Sequence, residues 1–189
     1  STMITDVASV KEPIGRDLKL KEGQVFVGGH PMGGTEFQGY EASNSLILRG
    51  INYFLTPAEY ADALPLGDFL TDLGFNVIVI GPEQHDRNVA ATSHANTLMS
   101  IVMLAANESR LNDPLFRHCI GSGFRDTTRV AGSSPEWVVD VCKHNKKGVL
   151  DALERVKETL DNMTMLINND DWSSIKEVSQ TAKQLRQNI

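Results

Sequence analysis

All the segments of this chain that are typical of buried strands lie in its first 80 residues. Four short apolar runs, at 3–5, 25–27, 53–55 and 76–80, are bounded by turn and helix-start signals. The segments between the runs carry helical signals, including a proline at position 13 and a closing glycine at position 74. This alternation predicts part of a doubly wound α/β sheet.

After residue 80 the apolar positions follow only a helical spacing. Helices are predicted over 82–107, 114–119 and 135–167, with a final amphipathic helix near the end of the chain. The predicted domains are therefore 1–80, an α/β domain, and 81–189, an all-helical domain. A helix as long as 135–167 needs other helices on more than one side, which favours a homodimer. A monomeric bundle is the alternative that spacing leaves open.

Composition excludes several classes of function. The 189 residues carry a formal net charge of -6, and their 18 basic residues are scattered, which argues against a nucleic-acid partner. There is no apolar run long enough for a membrane span and no signal peptide at the start. The two cysteines form no C-x-x-C pair, so the sequence predicts free thiols, no metal site and a cytoplasmic protein.

The stretch 27–36, VGGHPMGGTE, is the strongest candidate for a functional segment. It places His30 at a glycine turn directly after a strand, where α/β sheets bind ligands. Ser9 follows the preceding strand, so the two side chains are expected to converge. For Ser9 an ordinary role as helix N-cap is equally compatible with the sequence.

Several motifs occur together in a characteristic order. GGHPMGGTE resembles the GGHPxxGTE signature of prephenate and arogenate dehydrogenases. Further matches follow that family's order: TDVASVK at 5–11, LTP at 55–57, PEQHD at 82–86, SH at 93–94 and GFRDTTR at 123–129. The resemblance covers essentially the whole chain.

The resemblance implies an α/β remnant of a Rossmann-like doubly wound sheet followed by an all-α helical dimerisation domain. It implies oxidative decarboxylation of prephenate to 4-hydroxyphenylpyruvate, or of arogenate to tyrosine, with hydride transfer to NAD or NADP. The residues it assigns are catalytic His30 and Ser9, substrate-binding Arg129, Thr97, Glu36 and Asp126, and cofactor-binding Ser9 and Gly34. It also implies a homodimer.

The chain departs from the family pattern in several places. No G-x-G-x-x-G is present, so we expect a fragment with most of its cofactor site elsewhere and little activity alone. Thr97 stands where many members have the second histidine of SHxxH, and Val138 replaces a tryptophan, with Trp137 one residue earlier. The choice between prephenate and arogenate therefore stays open. His85, Asp86 and His94 are left outside the predicted catalytic set.

A non-catalytic alternative is compatible with these departures. The chain could be a dimeric binding protein, a sensor of an aromatic carboxylate metabolite. The presence of His30, Ser9 and Arg129 together favours the enzyme, because a sensor has no need of a base beside a carbinol group.

Overall fold

The computed structural model describes residues 2–34, 39 and 45–188. It divides the chain into two compact units, residues 1–149 and 150–189. The described strands all lie in the first unit. The predicted domain boundary after residue 80 separates an α/β segment from a helical segment and does not coincide with the boundary between these units. It stays a prediction.

A four-stranded mixed sheet forms the base of the first unit. Its strands are β1 (Thr2–Thr5), β2 (Gln24–Pro31), β3 (Asn52–Pro57) and β4 (Asn76–Val79), and their spatial order follows the sequence. β1 pairs with β2 in parallel, β2 with β3 antiparallel, and β3 with β4 in parallel. The predicted α/β fold followed by helices is confirmed.

The core of this unit lies between the sheet and helix α2 (Tyr60–Asp72). Tyr53 and Leu55 alternate with more exposed positions of β3, so both point to one face of the sheet. They pack with Val27 and with Ala63 and Leu70 of the helix. Burying such a large apolar side chain contributes about 1.5–3 kcal/mol, enough to hold helix and sheet together.

The glycine pair at positions 28 and 29 lies inside β2 rather than in a turn. The strand was predicted to end at residue 27, yet its ladder with β3 continues to Pro31. A Cβ atom built on Gly29 would lie 2.5 Å from the carbonyl oxygen of Asp6 and 2.9 Å from the hydroxyl of Tyr53. The glycines therefore allow close packing, and His30 is held by a strand.

Gly29→Ala should lower the free energy of unfolding by about 1–3 kcal/mol, because the new methyl group overlaps backbone that cannot easily move. Gly15→Ala is the matched control, since a Cβ there meets nothing within 4 Å and the residue lies inside helix α1 (Glu12–Asp17). Urea unfolding of both variants measures the difference. A Gly29→Ala protein as stable as the Gly15→Ala protein would contradict the packing argument.

Helix boundaries differ from the predictions at several places in the first unit. After Pro13 the sequence predicts a helix that runs to Gly23, but α1 ends at Asp17. Thr56 and Pro57 have the residue types of a helix N-cap and first helical position, yet both belong to β3, and α2 begins at Tyr60. Pro65 lies within α2 without ending it. The helix predicted over 82–107 consists of α3 (Pro82–Val89), a π-helical turn (Ala90–His94) and α4 (Ala95–Ala105).

The long helix predicted over 135–167 is divided at Asn145. α7 (Pro135–His144) ends there, where Asn145 has the non-helical angles φ -117 and ψ 36, and α8 (Lys146–Asn168) follows. The Asn145 side chain donates a hydrogen bond of 2.7 Å to the carbonyl oxygen of Asp86. A Cβ on Gly148 would lie 2.6 Å from the Asn145 Oδ1 atom, so the small residue makes room for this contact.

The remaining described helices are α5 (Pro114–His118), α6 (Ser122–Thr128) and α9 (Trp172–Arg186). A 3-10 turn (Arg129–Gly132) follows α6, which begins at Ser122, directly after Gly121. Over the described part of the chain, no helix has the length and apolar character that a bilayer crossing needs.

Candidate active site

A cavity of about 640 Å³ in the first unit brings together most of the predicted site residues. Its wall contains Ser9, His30, Gly34, Thr97 and Arg129. These residues come from the loop after β1, from β2 and the segment after it, from α4, and from the turn after α6. Segments far apart in sequence therefore converge on one space large enough for a small ring compound.

Two predicted site residues are not part of this wall as described. Asp126 is exposed on α6 and does not line the cavity. Glu36 lies outside the residues that the structure describes. Five further polar or aromatic side chains among the described residues line it without having been predicted as site residues: Ser93, His94, Ser133, Ser134 and Trp137.

His30 is joined to two residues of α3 by a chain of hydrogen bonds. Its Nδ1 atom lies 2.8 Å from Nε2 of His85. The Nδ1 atom of His85 lies 2.8 Å from Oδ1 of Asp86. Both His85 and Asp86 are buried. The sequence signal for them is the PEQHD segment at the start of the helix that follows the last strand, a position where such side chains can equally form ordinary local hydrogen bonds.

Ser9 is held by a contact from the helical part of the first unit. The indole Nε1 of Trp137 donates a hydrogen bond of 3.1 Å to Ser9 Oγ. The N-cap of α1 is Lys11, so the interpretation of Ser9 as an N-cap is wrong. Because the serine oxygen accepts from the indole, its own hydroxyl hydrogen can be donated to a ligand in the cavity.

Lys11 ties the loop that carries Ser9 to the strand that carries His30. Its ammonium group is fully buried and bonds to the carboxylate of Asp6 and to the carbonyl oxygen of Gly29, the latter at 2.6 Å. Burial lowers the pKa of Lys11, and the hydrogen bond and charge of Asp6 oppose that shift. The hydrogen bond to Gly29 joins the loop to β2, and the Asp6 carboxylate compensates the buried positive charge.

Two histidines of the cavity wall are kept neutral by burial. Burial lowers the pKa of His30 to about 3, electrostatic interactions with His85, Lys11 and His94 add to the shift, and the negative charge of Asp86 opposes it. Burial also lowers the pKa of His94 to about 4, although the negative charge of Asp86 opposes the shift. The ring of His94 packs edge-on against Trp137 with centroids 5.8 Å apart. Near neutral pH both rings are therefore uncharged.

These two histidines should make the protein less stable in acid. Their folded-state pKa values lie below the ordinary value near 6.5, so between about pH 4 and 6.5 the unfolded chain binds more protons. The free energy of unfolding should rise with pH across this window, by at most about 1.4 kcal/mol per pH unit for each residue.

Urea unfolding at a series of pH values measures this slope. His94→Gln should reduce it, whereas His118→Gln, at an exposed position of α5, should not. An equal slope in His94→Gln and in the parent protein would show that the titrating group lies elsewhere.

Comparison with known families accounts for both halves of the chain. Residues 81–181 match the family model of the prephenate dehydrogenase dimerization domain. Residues 1–79 match the model of the prephenate dehydrogenase nucleotide-binding domain. The chain belongs to the prephenate dehydrogenase family. The resemblance carried by the GGHPMGGTE segment and the motifs around it is thereby confirmed.

Individual relatives agree with this assignment. Prephenate dehydrogenase of Bacillus subtilis is 29% identical over 193 residues, covering 99% of this chain and 52% of the relative. The chain thus spans about half the length of that relative. The crystal structure of Synechocystis arogenate dehydrogenase has a TM-score of 0.79 and 32% identity, covering 98% of this chain and 68% of the other.

A second solved relative was crystallised with ligands. Prephenate dehydrogenase from A. aeolicus, in complex with hydroxyphenyl propionate and NAD+, has a TM-score of 0.86 and 30% identity. The match covers 98% of this chain and 66% of the relative. The expectation of a nicotinamide cofactor agrees with this relative and with the nucleotide-binding family model.

Proposed function

We propose that the protein oxidises and decarboxylates prephenate or arogenate, with His30 as the residue that takes and returns the proton of the ring hydroxyl. The observation that carries the proposal is the position of His30 in the cavity wall. Its Nδ1 is occupied by His85, which leaves Nε2 for a ligand. Ser9 and Arg129 of the same wall supply a hydroxyl and a guanidinium group.

A neutral imidazole suits the first half of this reaction. As the carbinol carbon loses its hydride, its hydroxyl group becomes a protonated carbonyl group. The remaining proton on that oxygen is strongly acidic. His30 Nε2 accepts that proton even though its pKa is lowered to about 3. The carboxylates of a bound substrate also raise the pKa of a nearby imidazole, which strengthens the base when it is needed.

The second half returns the proton. The bond between the ring and its carboxylate breaks, carbon dioxide leaves, and the electron pair moves through the ring to the carbonyl oxygen. The ring becomes aromatic, and the phenolate oxygen recovers its proton from His30 Nε2. Ser9 Oγ, which accepts a hydrogen bond from Trp137, is proposed to donate a hydrogen bond to that oxygen.

Arg129 is proposed to bind a carboxylate of the substrate, because a planar guanidinium group forms two parallel hydrogen bonds with a carboxylate. Thr97, buried in the wall, is proposed to contact the substrate beside it. Roles for Glu36 and Asp126 in orienting the arginine stay predictions. Thr97 and Val138 differ from the family pattern described above, so both substrates belong in the test.

NAD or NADP is the proposed hydride acceptor, and the described residues are compatible with it. When bound, the nicotinamide supplies the electron-pair acceptor for the carbinol hydride. A Cβ on Gly34 would meet no atom of the described residues within 4 Å, and both Gly34 and Ser9 line the cavity. We propose these two residues as the part of the cofactor site that lies in the described chain.

A homodimer joined through the helical region is also proposed. The match of residues 81–181 to a dimerization-domain model supports it. So do large exposed apolar side chains such as Val102 of α4 and Val139 of α7, which are 53% and 63% exposed. The predicted cytoplasmic location and the absence of nucleic-acid or membrane partners stay predictions.

Reduction of NAD+ or NADP+ by the purified full-length protein, with prephenate and arogenate supplied in parallel, tests the proposal. We expect turnover with at least one of the four combinations, together with release of carbon dioxide. Tight substrate binding with no turnover in any combination would overturn the enzyme and support the binding protein instead.

A further inference from the structure

We propose that His85 is a positioning residue that fixes which nitrogen of His30 carries a hydrogen, so that Nε2 always presents a lone pair to the cavity. The inference rests on the proposed function for its role in catalysis. Its structural part concerns only the His30–His85–Asp86 chain of hydrogen bonds and can be tested without turnover.

The direction of the chain is set at Asp86. Its Oδ1 atom accepts the backbone N–H of Lys11 at 2.8 Å, and its Oδ2 atom accepts the backbone N–H of Glu12 at 2.8 Å. Both carboxylate oxygens therefore act as acceptors. The Nδ1 atom of His85, 2.8 Å from Oδ1, must supply the hydrogen of that contact.

The direction then passes through His85 to His30. A neutral histidine ring carries one hydrogen, on either of its two nitrogens. With that hydrogen on Nδ1, the Nε2 atom of His85 is an acceptor. The Nδ1 atom of His30, 2.8 Å away, must then be the donor. A neutral His30 with its hydrogen on Nδ1 has its lone pair on Nε2, the form that a general base requires.

The surroundings of His85 leave its ring little freedom to turn. The residue is 1% exposed, and its ring packs edge-on against Phe54 with centroids 5.4 Å apart. Its backbone N–H donates to Gly81 at 2.9 Å, at the start of α3. The carbonyl oxygen of Asp86 accepts the Asn145 side chain. These contacts keep the His85 ring in one orientation. A fixed orientation is required if His85 is to select the tautomer of His30.

Nitrogen-15 NMR of histidine-labelled full-length protein reads the ring hydrogen directly. We expect His30, assigned by loss of its signals in His30→Asn, to carry hydrogen on Nδ1 and none on Nε2. In His85→Leu, which removes the acceptor, the hydrogen of His30 should be shared between the two nitrogens. His85→Gln places an amide oxygen near the former Nε2 and should restore the parent pattern.

Steady-state kinetics provide a second test. A purely structural role of His85 would not give a change in kcat at constant KM that His85→Gln reverses. His85→Leu should lower kcat by roughly 10- to 10²-fold, with KM within about twofold, because it removes both the tautomer preference of His30 and the acceptor that supports its ring while it holds the proton. His85→Gln should recover most of kcat. His118→Leu makes the same substitution at an exposed position of α5 and should match the parent.

Two NMR results would overturn the inference: hydrogen on Nε2 of His30 in the parent protein, or an unchanged tautomer in His85→Leu. A His85→Gln variant as slow as His85→Leu would also overturn it, because the acceptor alone would then not be what matters. Absence of turnover in the parent protein is a separate result. It would count against the proposed function, while the NMR signals would still decide the tautomer.

Discussion

Replacing His30 with asparagine should lower kcat of the full-length protein by about 10²- to 10⁴-fold, the usual contribution of a positioned general base. Asparagine keeps a polar side chain in the cavity wall but cannot accept and return a proton. Substrate affinity should change much less, because the carboxylate contacts of the substrate are proposed to lie elsewhere. Steady-state kinetics with saturating cofactor separates the two effects.

His118→Asn is the matched control for this experiment, since it makes the same substitution at an exposed position of α5. It should retain the parent kcat. If His30→Asn kept kcat within about threefold of the parent, the change in barrier would be below about 1 kcal/mol. The histidine would then be part of a scaffold, and the catalytic assignment would be wrong.

Arg129→Ala should fail in a different way, with a large rise in KM for the substrate. Loss of a charge-assisted carboxylate contact costs about 2–4 kcal/mol of interaction free energy, which should reduce kcat/KM roughly 30- to 10³-fold. Arg129→Lys should lie between alanine and the parent, because lysine keeps the charge but not the two parallel hydrogen bonds.

Arg125→Ala removes the same kind of side chain from an exposed position of α6 that does not line the cavity. Its KM should equal that of the parent. The Arg129 assignment fails if the two alanine variants have the same KM. It also fails if Arg129→Ala lowers kcat while leaving KM unchanged, because the guanidinium would then act on the reaction and not on binding.

Much of the site could be predicted because its residues follow strands or recur in ordered motifs. Ser9 and His30 were placed together from the carboxyl ends of two neighbouring strands, and they do line one cavity. Arg129 and Thr97 were placed from their motifs, and they line it too. The predicted end of β2 at residue 27 was wrong, because the glycines beside His30 were interpreted as a turn. Glycine occurs both in turns and where backbones pack closely, and the sequence alone does not distinguish these two uses.

His85 shows why part of the site was missed. It lies 55 positions from His30 in sequence, and its contact depends on where α3 starts relative to β2. That relation is set by the antiparallel pairing of β2 with β3, which the spacing of apolar residues did not reveal. The division of the long helix at Asn145 could not be predicted from apolar spacing either. It accompanies a hydrogen bond between Asn145 and Asp86, which are 59 positions apart in sequence.

The hydrogen bond from Trp137 to Ser9 gives the protein a built-in optical reporter. The sequence has only two tryptophans, and the second, Trp172, is 60% exposed in the other compact unit. In a Trp172→Phe background the remaining indole would emit from the cavity wall, beside the serine that a ligand is proposed to contact. Substrate binding could then be measured by the fluorescence of Trp137 with no cofactor present, and therefore without turnover.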